Sequence, residues 1–249
     1  MDIKLVSYNL QSWDVTERRI NGIIDIIKKL NPDVICLQEV TIFWYSRLRK
    51  EFKDKYTFTG RDRFYGDKVQ IKRDFERNCV LFKKERFNPI KCRTYWLGPD
   101  IYNPSRFPGA YFNRIFTTAI LKDKKTNKKV QFISTHFDDR FEEIRAKQGM
   151  VLSTYVKECE MPLILAGDFN SEPKEEAYKS VSKVLNDVGK SFNEESYTYH
   201  AYDKYPHERI DYVFINEFVN AKSFKLVKDI YEELPPSDHY PLEAILEIK

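Results

Sequence analysis

Apolar and polar positions along the chain switch repeatedly between a period of about two and a period of about 3.6 residues, as strands alternating with helices do. IKLVSYN (3–9) reads as a first strand. In TERRINGIIDIIKKL (16–30), Ile20, Ile23, Ile24, Ile27 and Leu30 share one face at helical spacing, and Thr16 is placed to cap the N-terminus. NPD ends that helix, and VICLQEV (34–40) is an apolar run short enough for a buried strand. A second helix is predicted over 41–53. NCVLFKKERF (78–87) and FTTAILKDKKTNKKVQFISTHF (116–137) read as strand–turn–strand units, with the lysine run KDKKTNKK at a solvated hairpin tip. A helix over 141–159 leads into the strand PLILAGD (162–168), and a short helix follows near 174–185. RIDYVFI (209–215), a piece around 222–227, and LEAILEI (242–248) supply the last strands. The pattern predicts an α/β protein in which helices cover large, mostly antiparallel or mixed sheets. With no repeat, low-complexity tract or linker, residues 1–249 are expected to form a single domain.

Composition narrows this picture only a little. A domain of 249 residues can bury about three-quarters of the surface its unfolded chain exposes. No apolar run approaches the ~20 residues of a membrane span, and the first residues lack the layout of a signal peptide. Cys36, Cys79, Cys92 and Cys159 are far apart and form no C-x-x-C pair, which predicts reduced, structural thiols in a cytoplasmic protein. The net charge of +4 is far below the basic footprint of a dedicated DNA-binding domain, although a local patch would suffice for a polyanionic substrate.

Candidate chemistry enters where predicted strands finish on polar side chains. VSYN ends on Asn9, ICLQE on Glu39, FISTH on His136, and LILAGDFN delivers Asp168 and Asn170. RIDYVF carries Asp211 in an apolar strand, and PPSDHYPL sets Asp238 and His239 before the final one. Each alone has a plain structural reading: a turn former, a helix cap, an Asx turn, a satisfied core histidine, a partner for Arg209. Together they form one pattern, acids, amides and imidazoles lifted to sheet edges by apolar runs, where ligands of α/β folds commonly sit. The chemistry that fits is hydrolysis of a phosphate ester. Mg2+ takes hard oxygen ligands with water and phosphate filling the rest, which suits Glu39 and Asn9. An acid and an amide two residues apart can point to one side and handle a water and a phosphate oxygen. Imidazoles can donate to the developing charge, and a carboxylate such as Asp211 can fix an imidazole's tautomer and favour its charged form.

These motifs resemble the endonuclease/exonuclease/phosphatase superfamily of metal-dependent phosphoesterases. That group includes pancreatic-type deoxyribonuclease, abasic-site endonucleases, sphingomyelinases, inositol polyphosphate 5-phosphatases and deadenylases. SYN, LQEV, NRIF, STHF, GDFN, RIDYVF and SDHYPL stand in the superfamily's order from Ser7 to the C-terminus. The resemblance implies a four-layer α/β/β/α sandwich with two packed sheets inside. It implies Mg2+ or Mn2+ held by Glu39, with Asn9 and Asp238 in its shell. It implies that Asp168 handles the attacking water, Asn170 holds the phosphate, and His239, oriented by Asp211, stabilises the pentacovalent phosphorus. His136 is implied on the leaving-group side, and Arg114 orients site residues or phosphate. Gln11 stands where some relatives carry an acid, which weakens a second metal site, and His136 replaces the tyrosine of abasic-site enzymes. STHFDD followed by Arg145 and Gln148 looks most like a bacterial-type branch of unassigned substrate, in which Asp138, Arg145 and Gln148 either support the site or are plain helix-surface residues.

The expected function is a phosphodiesterase or nuclease acting by in-line water attack on a phosphate ester, nucleic acid among the candidates, by a monomer. The alternatives are a phosphatase of small phosphorylated molecules or phosphoinositide-like head groups, and a non-catalytic binding module on the same fold. Loop GRDRFYGDKVQIKRDFER (60–77) reads either as a phosphate-tracking rim or as an exposed mixed-charge loop. In GPDIYNPSRFPGAYFN (98–113), Tyr102, Phe107, Tyr111 and Phe112 are placed to wall a pocket or to pack the loop down.

Overall fold

The period-two stretches build two sheets of six strands each, and the 3.6-period stretches cover their outer faces. The structure is a computed structural model and describes residues 1–64, 75–194, 196–203 and 207–249. The first sheet contains β1 (Asp2–Asn9), β2 (Val34–Val40), β3 (Tyr56–Thr59), β4 (Arg77–Lys83), β11 (Val219–Leu226) and β12 (Leu242–Ile248), in the order β11-β12-β1-β2-β4-β3. The second contains β5 (Phe87–Trp96), β6 (Ile115–Asp123), β7 (Lys129–His136), β8 (Leu163–Asp168), β9 (Asn186–Asp187) and β10 (Asp211–Ile215), in the order β5-β6-β7-β8-β10-β9. Each sheet holds one parallel pair, β1 with β2 and β7 with β8; the other neighbours run antiparallel. The parallel pairs are joined through α1 (Glu17–Leu30) and α3 (Glu142–Lys157), as parallel strands require a crossover.

Three apolar cores separate four layers. The middle core lies between the sheets and draws on Ile3 and Leu5, Val34 and Cys36, Phe132, Ile164 and Ala166, and Leu242 to Ile248 at every second position. A second joins Val6, Tyr8, Ile35 and Leu37 to Ile20, Ile23 and Ile27 of α1 and Trp44, Leu48 and Phe52 of α2 (Ile42–Phe52). The third packs Ile133, Leu163, Leu165, Tyr212 and Phe214 against Leu152 and Val156 of α3 and Ala177, Tyr178 and Val181 of α4 (Glu176–Ser182). Burying one such aliphatic side chain contributes about 1.5–3 kcal/mol, so the stripe read from α1 is enough to dock that helix. Thr16 caps it, accepting from the Arg19 amide.

Two expectations change. The unit placed at 78–87 opens into a long outer strand, β5, running to Trp96. Its middle residues are exposed on both faces, so no alternation marks them, and Pro89 sits at an irregularity on this edge, where a missing N–H is tolerated. The short helix expected over 174–185 is confined to Glu176–Ser182, and a two-residue strand and α5 (Val188–Ser191) follow it. The four cysteines are free thiols, Cys36 and Cys79 buried. Among the described residues no helix is long and apolar enough to cross a membrane. Of the loop at 60–77, residues 65–74 lie outside the described residues.

Candidate active site

Side-chain parity decides what reaches the seam between the sheets. On β1, Ile3 and Leu5 point into the seam, so Asn9 does too; on β7, Val130 and Phe132 bring His136; on β8, Ile164 and Ala166 bring Asp168; on β10, Val213 and Ile215 share the face of Asp211. Asn9, His136 and Asp168 end strands of the two parallel pairs, and these ends meet at one rim of the sandwich. Glu39 is the exception. Parity would send it with Ile35 and Leu37 toward the helices. An irregularity between Leu37 and Val40, with Glu39 itself in the left-handed region at φ 57°, turns its carboxylate back over the rim.

The resulting contacts centre on Asp168. The Asn9 amide donates to Asp168 Oδ2 at 2.8 Å and to Glu39 Oε1 at 3.1 Å, tying the two sheets together. The Ser12 backbone N–H donates to Glu39 Oε2 at 2.6 Å. Asn170, left-handed at φ 47°, donates its backbone N–H to Asp168 Oδ1 at 2.8 Å, closing the Asx turn. His239 Nδ1 lies 2.8 Å from Asp211 Oδ2, with its Nε2 3.8 Å from Asp168 Oδ2. Thr198 fixes that carboxylate: its hydroxyl donates to Asp211 Oδ2 at 2.6 Å and accepts from the amides of Ile210 and Asp211. Ser12, Glu39, Asp168, Asn170 and His239 line a cavity of about 800 Å³ shared with Trp13, Arg63, Glu76, Phe112, Arg114, Tyr199 and Glu208, with Asn9, Thr198 and Asp211 behind its wall.

Burial sets the charges. Asp168 is pushed up to about 7, first by burial and then by the Asp211 charge, with His239 opposing. Burial pulls the His239 imidazole down, but the Asp211 carboxylate outweighs it and holds His239 well above the usual histidine range. His239 is therefore charged at neutral pH, with Nδ1–H committed to Asp211 and Nε2–H turned toward Asp168. His136 goes the other way: burial, then Arg114 and His239, hold it well below the usual range. The Asn170 amide donates to the Phe137 carbonyl at 3.2 Å and lies 2.9 Å from His136 Nε2, so a neutral His136 accepts there. In this resting arrangement His136 is an acceptor that steadies Asn170, whereas the sequence pattern suggested two donor histidines. Arg114 pairs with Asp139 at 2.7 Å and faces the cavity.

Residues 6–239 match the endonuclease/exonuclease/phosphatase family. The chain belongs to that family. A Bacteroides vulgatus endonuclease/exonuclease/phosphatase superposes with a TM-score of 0.87 at 26% identity, each chain covered completely. Nocturnin of Xenopus laevis is 26% identical over 190 residues, 72% of this chain and 47% of that protein. The exoribonuclease subunit Ccr4 of the CCR4-Not complex of Kluyveromyces lactis is 22% identical over 192 residues, 65% of this chain and 24% of that protein. The chain thus spans less than half the length of these two curated relatives. The α/β/β/α sandwich is the fold of the family's solved structures.

The family's metal dependence can be tested against the donors present. Asp238 faces the same cavity as Glu39, and its carboxyl is pushed up by burial with the Glu39 charge adding to the effect, the situation a cation relieves. Glu39 and Asp238 are hard donors of the kind Mg2+ or Mn2+ takes, and the Asn9 amide oxygen, which accepts from the Gln11 N–H at 2.9 Å, keeps a second lone pair beside them, so the residues fit. Among the described residues Asp168, Asp211 and His239 also converge within 4.8 Å and could hold an ion. Asp211 Oδ2 is already engaged by Thr198 and His239, while His239 Nε2 stands 3.8 Å from Asp168 Oδ2, beyond hydrogen-bond range.

Several site residues escaped the sequence reading. Buried Arg63 pairs with half-buried Glu76 at 2.7 Å in the cavity wall and stacks on Phe112 at 4.1 Å. Glu76 is an acid just ahead of the apolar strand β4, a weaker form of the signal that marked Asp211; Arg63, Thr198 and Trp13 carry no such signal. Asp138, Arg145 and Gln148 are buried and brace the loop after β7. Gln148 accepts from the Asp138 amide, and Arg145 reaches the Asp138 carbonyl and Glu175. Of the aromatic loop, Phe112 lines the site cavity, while Tyr102 and Phe107 wall a separate groove against α3.

Proposed function

We propose that the span 1–249 serves as one catalytic domain, a hydrolase that cleaves phosphate esters by in-line attack of water with Mg2+ or Mn2+ held by Glu39, Asn9 and Asp238. The reading rests on one observation: a buried carboxylate near neutrality, Asp168, is surrounded by an amide from each sheet, a charged imidazole and a second carboxylate. When bound, the metal supplies positive charge for the phosphate oxygens. Asp168 holds the water and takes its proton, which suits a group poised near operating pH. Asn170 holds the phosphate by turning to it the side-chain N–H that His136 accepts at rest, while its other N–H stays on the Phe137 carbonyl. His239, kept charged and oriented by Asp211, offers Nε2–H to the negative charge that grows on the phosphorane. Arg114 adds a fixed positive charge beside that group.

The leading substrate is a phosphodiester, nucleic acid included; similarity to an exoribonuclease subunit and the Arg140 guanidinium stacked over exposed Tyr111 support it. One feature favours small phosphorylated molecules instead. Glu208 on the cavity wall is raised by burial and then by Glu172 and Glu175, an acidic edge that a polyanionic strand would have to cross. The test is hydrolysis of single-stranded DNA, duplex DNA, RNA, bis-nitrophenyl phosphate and inositol phosphates with Mg2+, Mn2+ or EDTA, with Asp168→Asn as control. Turnover that depends on metal and Asp168 is expected; turnover surviving EDTA or the variant sinks the mechanism, and turnover confined to phosphomonoesters sinks the nuclease reading.

A further inference from the structure

The three tryptophans divide sharply: Trp44 and Trp96 are 0% and 4% exposed, whereas Trp13 is 74% exposed on the wall of the site cavity. A lone exposed aromatic is unremarked on most surfaces, but this one is held out by a loop whose backbone is constrained. Gln11 and Asp14, on either side, both adopt left-handed backbone at φ 54° and 49°, a conformation that costs a non-glycine residue free energy and persists only where its surroundings impose it. Buried Arg19 imposes it. Its guanidinium donates to the carbonyls of Leu10, Gln11, Trp13, Asp14 and Pro236. The Trp44 indole N–H adds a bond to the Gln11 carbonyl at 3.2 Å. Beside Trp13, the Ser12 N–H holds Glu39. One buried arginine thus fixes both a proposed metal-side carboxylate and an indole standing in water next to it.

We propose that Trp13 is a specificity-determining residue, a stacking platform for a ring carried by the ester whose phosphate sits at Asn170. The inference rests on the phosphoesterase reading above and names its substrate class: a phosphate bearing a flat or apolar-faced ring, such as a nucleobase or the face of a sugar. The cavity, about 800 Å³, holds far more than a phosphate and has room for such a ring. Phe112, backed by the Arg63 guanidinium, presents a second aromatic surface in the same lining. A base on an aromatic platform gains enough that truncation weakens binding on the order of tenfold or more.

Two measurements test this. Asp168→Asn protein, which should not turn over, is titrated in Mg2+ with adenosine 5′-monophosphate, glucose 6-phosphate, glycerol 3-phosphate or inorganic phosphate while acrylamide quenching of tryptophan fluorescence is read. Because Trp44 and Trp96 are buried, the quenchable signal is that of Trp13. Ring-bearing phosphates are expected to shield it and the ringless ones are not; shielding by the nucleotide alone identifies a base, and shielding by the sugar phosphate identifies a sugar ring. Equal shielding by all four, or by none, overturns the proposal. Separately, Trp13→Ala should raise KM for a ring-bearing substrate roughly tenfold more than for glycerol 3-phosphate, with kcat moving less and Trp13→Phe recovering most of the difference. An equal effect on both substrates would make Trp13 a structural residue and overturn the proposal. Ring-selective shielding without hydrolysis of any ester would leave the stacking site standing and remove the phosphoesterase reading instead.

Discussion

Thr198→Val is the sharpest probe of how the site is held. Valine keeps the shape and removes one hydroxyl that takes part in three buried hydrogen bonds: two accepted from the Ile210 and Asp211 amides at 3.1 and 3.0 Å, and one donated to Asp211 Oδ2 at 2.6 Å. Each neutral bond contributes about 1 kcal/mol net and the bond to a charged carboxylate about 2 kcal/mol, and the stranded partners keep their desolvation cost. The expected loss is therefore about 4 kcal/mol. In a chain of this length that lowers Tm by roughly 10 °C. Thr198→Ser is the control: it keeps the hydroxyl and loses one buried methyl, about 1 kcal/mol. Urea unfolding of the three proteins measures both differences. A kinetic arm follows from the same bonds, since Asp211 freed from Thr198 no longer fixes His239, and kcat should fall for Val far more than for Ser. A valine variant within 1 kcal/mol of wild type, or a serine variant as unstable as the valine one, would refute the reasoning.

Gly167→Ala would place a Cβ 2.1 Å from the Thr135 carbonyl oxygen at a backbone φ of 154°, so it should cost roughly 3 kcal/mol or more by prying β8 from β7; an unchanged melting temperature would contradict this. Glu39→Gln should abolish the rise in Tm that Mg2+ or Mn2+ gives the wild type, about 5–10 °C at a hundredfold excess over Kd, and EDTA should remove that rise from the wild type. Calorimetry with and without metal reads this directly, and a full shift in the variant would move the metal elsewhere. Burial raises the Asp123 carboxyl, but the Thr126 amide and the Arg86 guanidinium outweigh it and leave Asp123 below the usual carboxylate range. Its stabilising contribution is thus complete above the unfolded value of 3.8 and fades as pH falls through the lower folded value; Asp123→Asn should flatten that acid limb of a Tm–pH curve.

Much of the site could be read from the chain because period two does two jobs at once. The apolar residues that put Ile164 and Ala166 into the seam also dictate where Asp168 must point, and the same holds for Asn9 and His136. Helix α1 declared itself through a continuous isoleucine stripe and its threonine cap. What could not be read depends on partners distant in sequence. Glu39 belongs to the site only because β2 is irregular against β4, and alternation alone would have turned it away. Arg63 and Glu76 pair although they are not neighbours in sequence, and β5 hides because an edge strand wetted on both faces shows no alternation. The acceptor role of His136 is set by the Phe137 carbonyl and the Asn170 amide, a matter of packing.

The bond from Asn9 to Asp168 joins a strand of one sheet to a strand of the other, and beneath it Gln38 reaches across to Ser134 at 3.1 Å. His136, Asp168 and Asp211 ride on neighbouring strands of one sheet, whereas Asn9 and Glu39 ride on the other, so the alignment of these two sets is a tolerance between two slabs. Hydrogen bonds weaken steeply beyond about 3.2 Å, so a slip of half an ångström between the slabs would detune the site with every residue in it unchanged. Phe132 and Leu246, deep in the layer the slabs share, then bear on the proposed activity from a distance, because the packing of that oily interior sets how the two halves of the site line up.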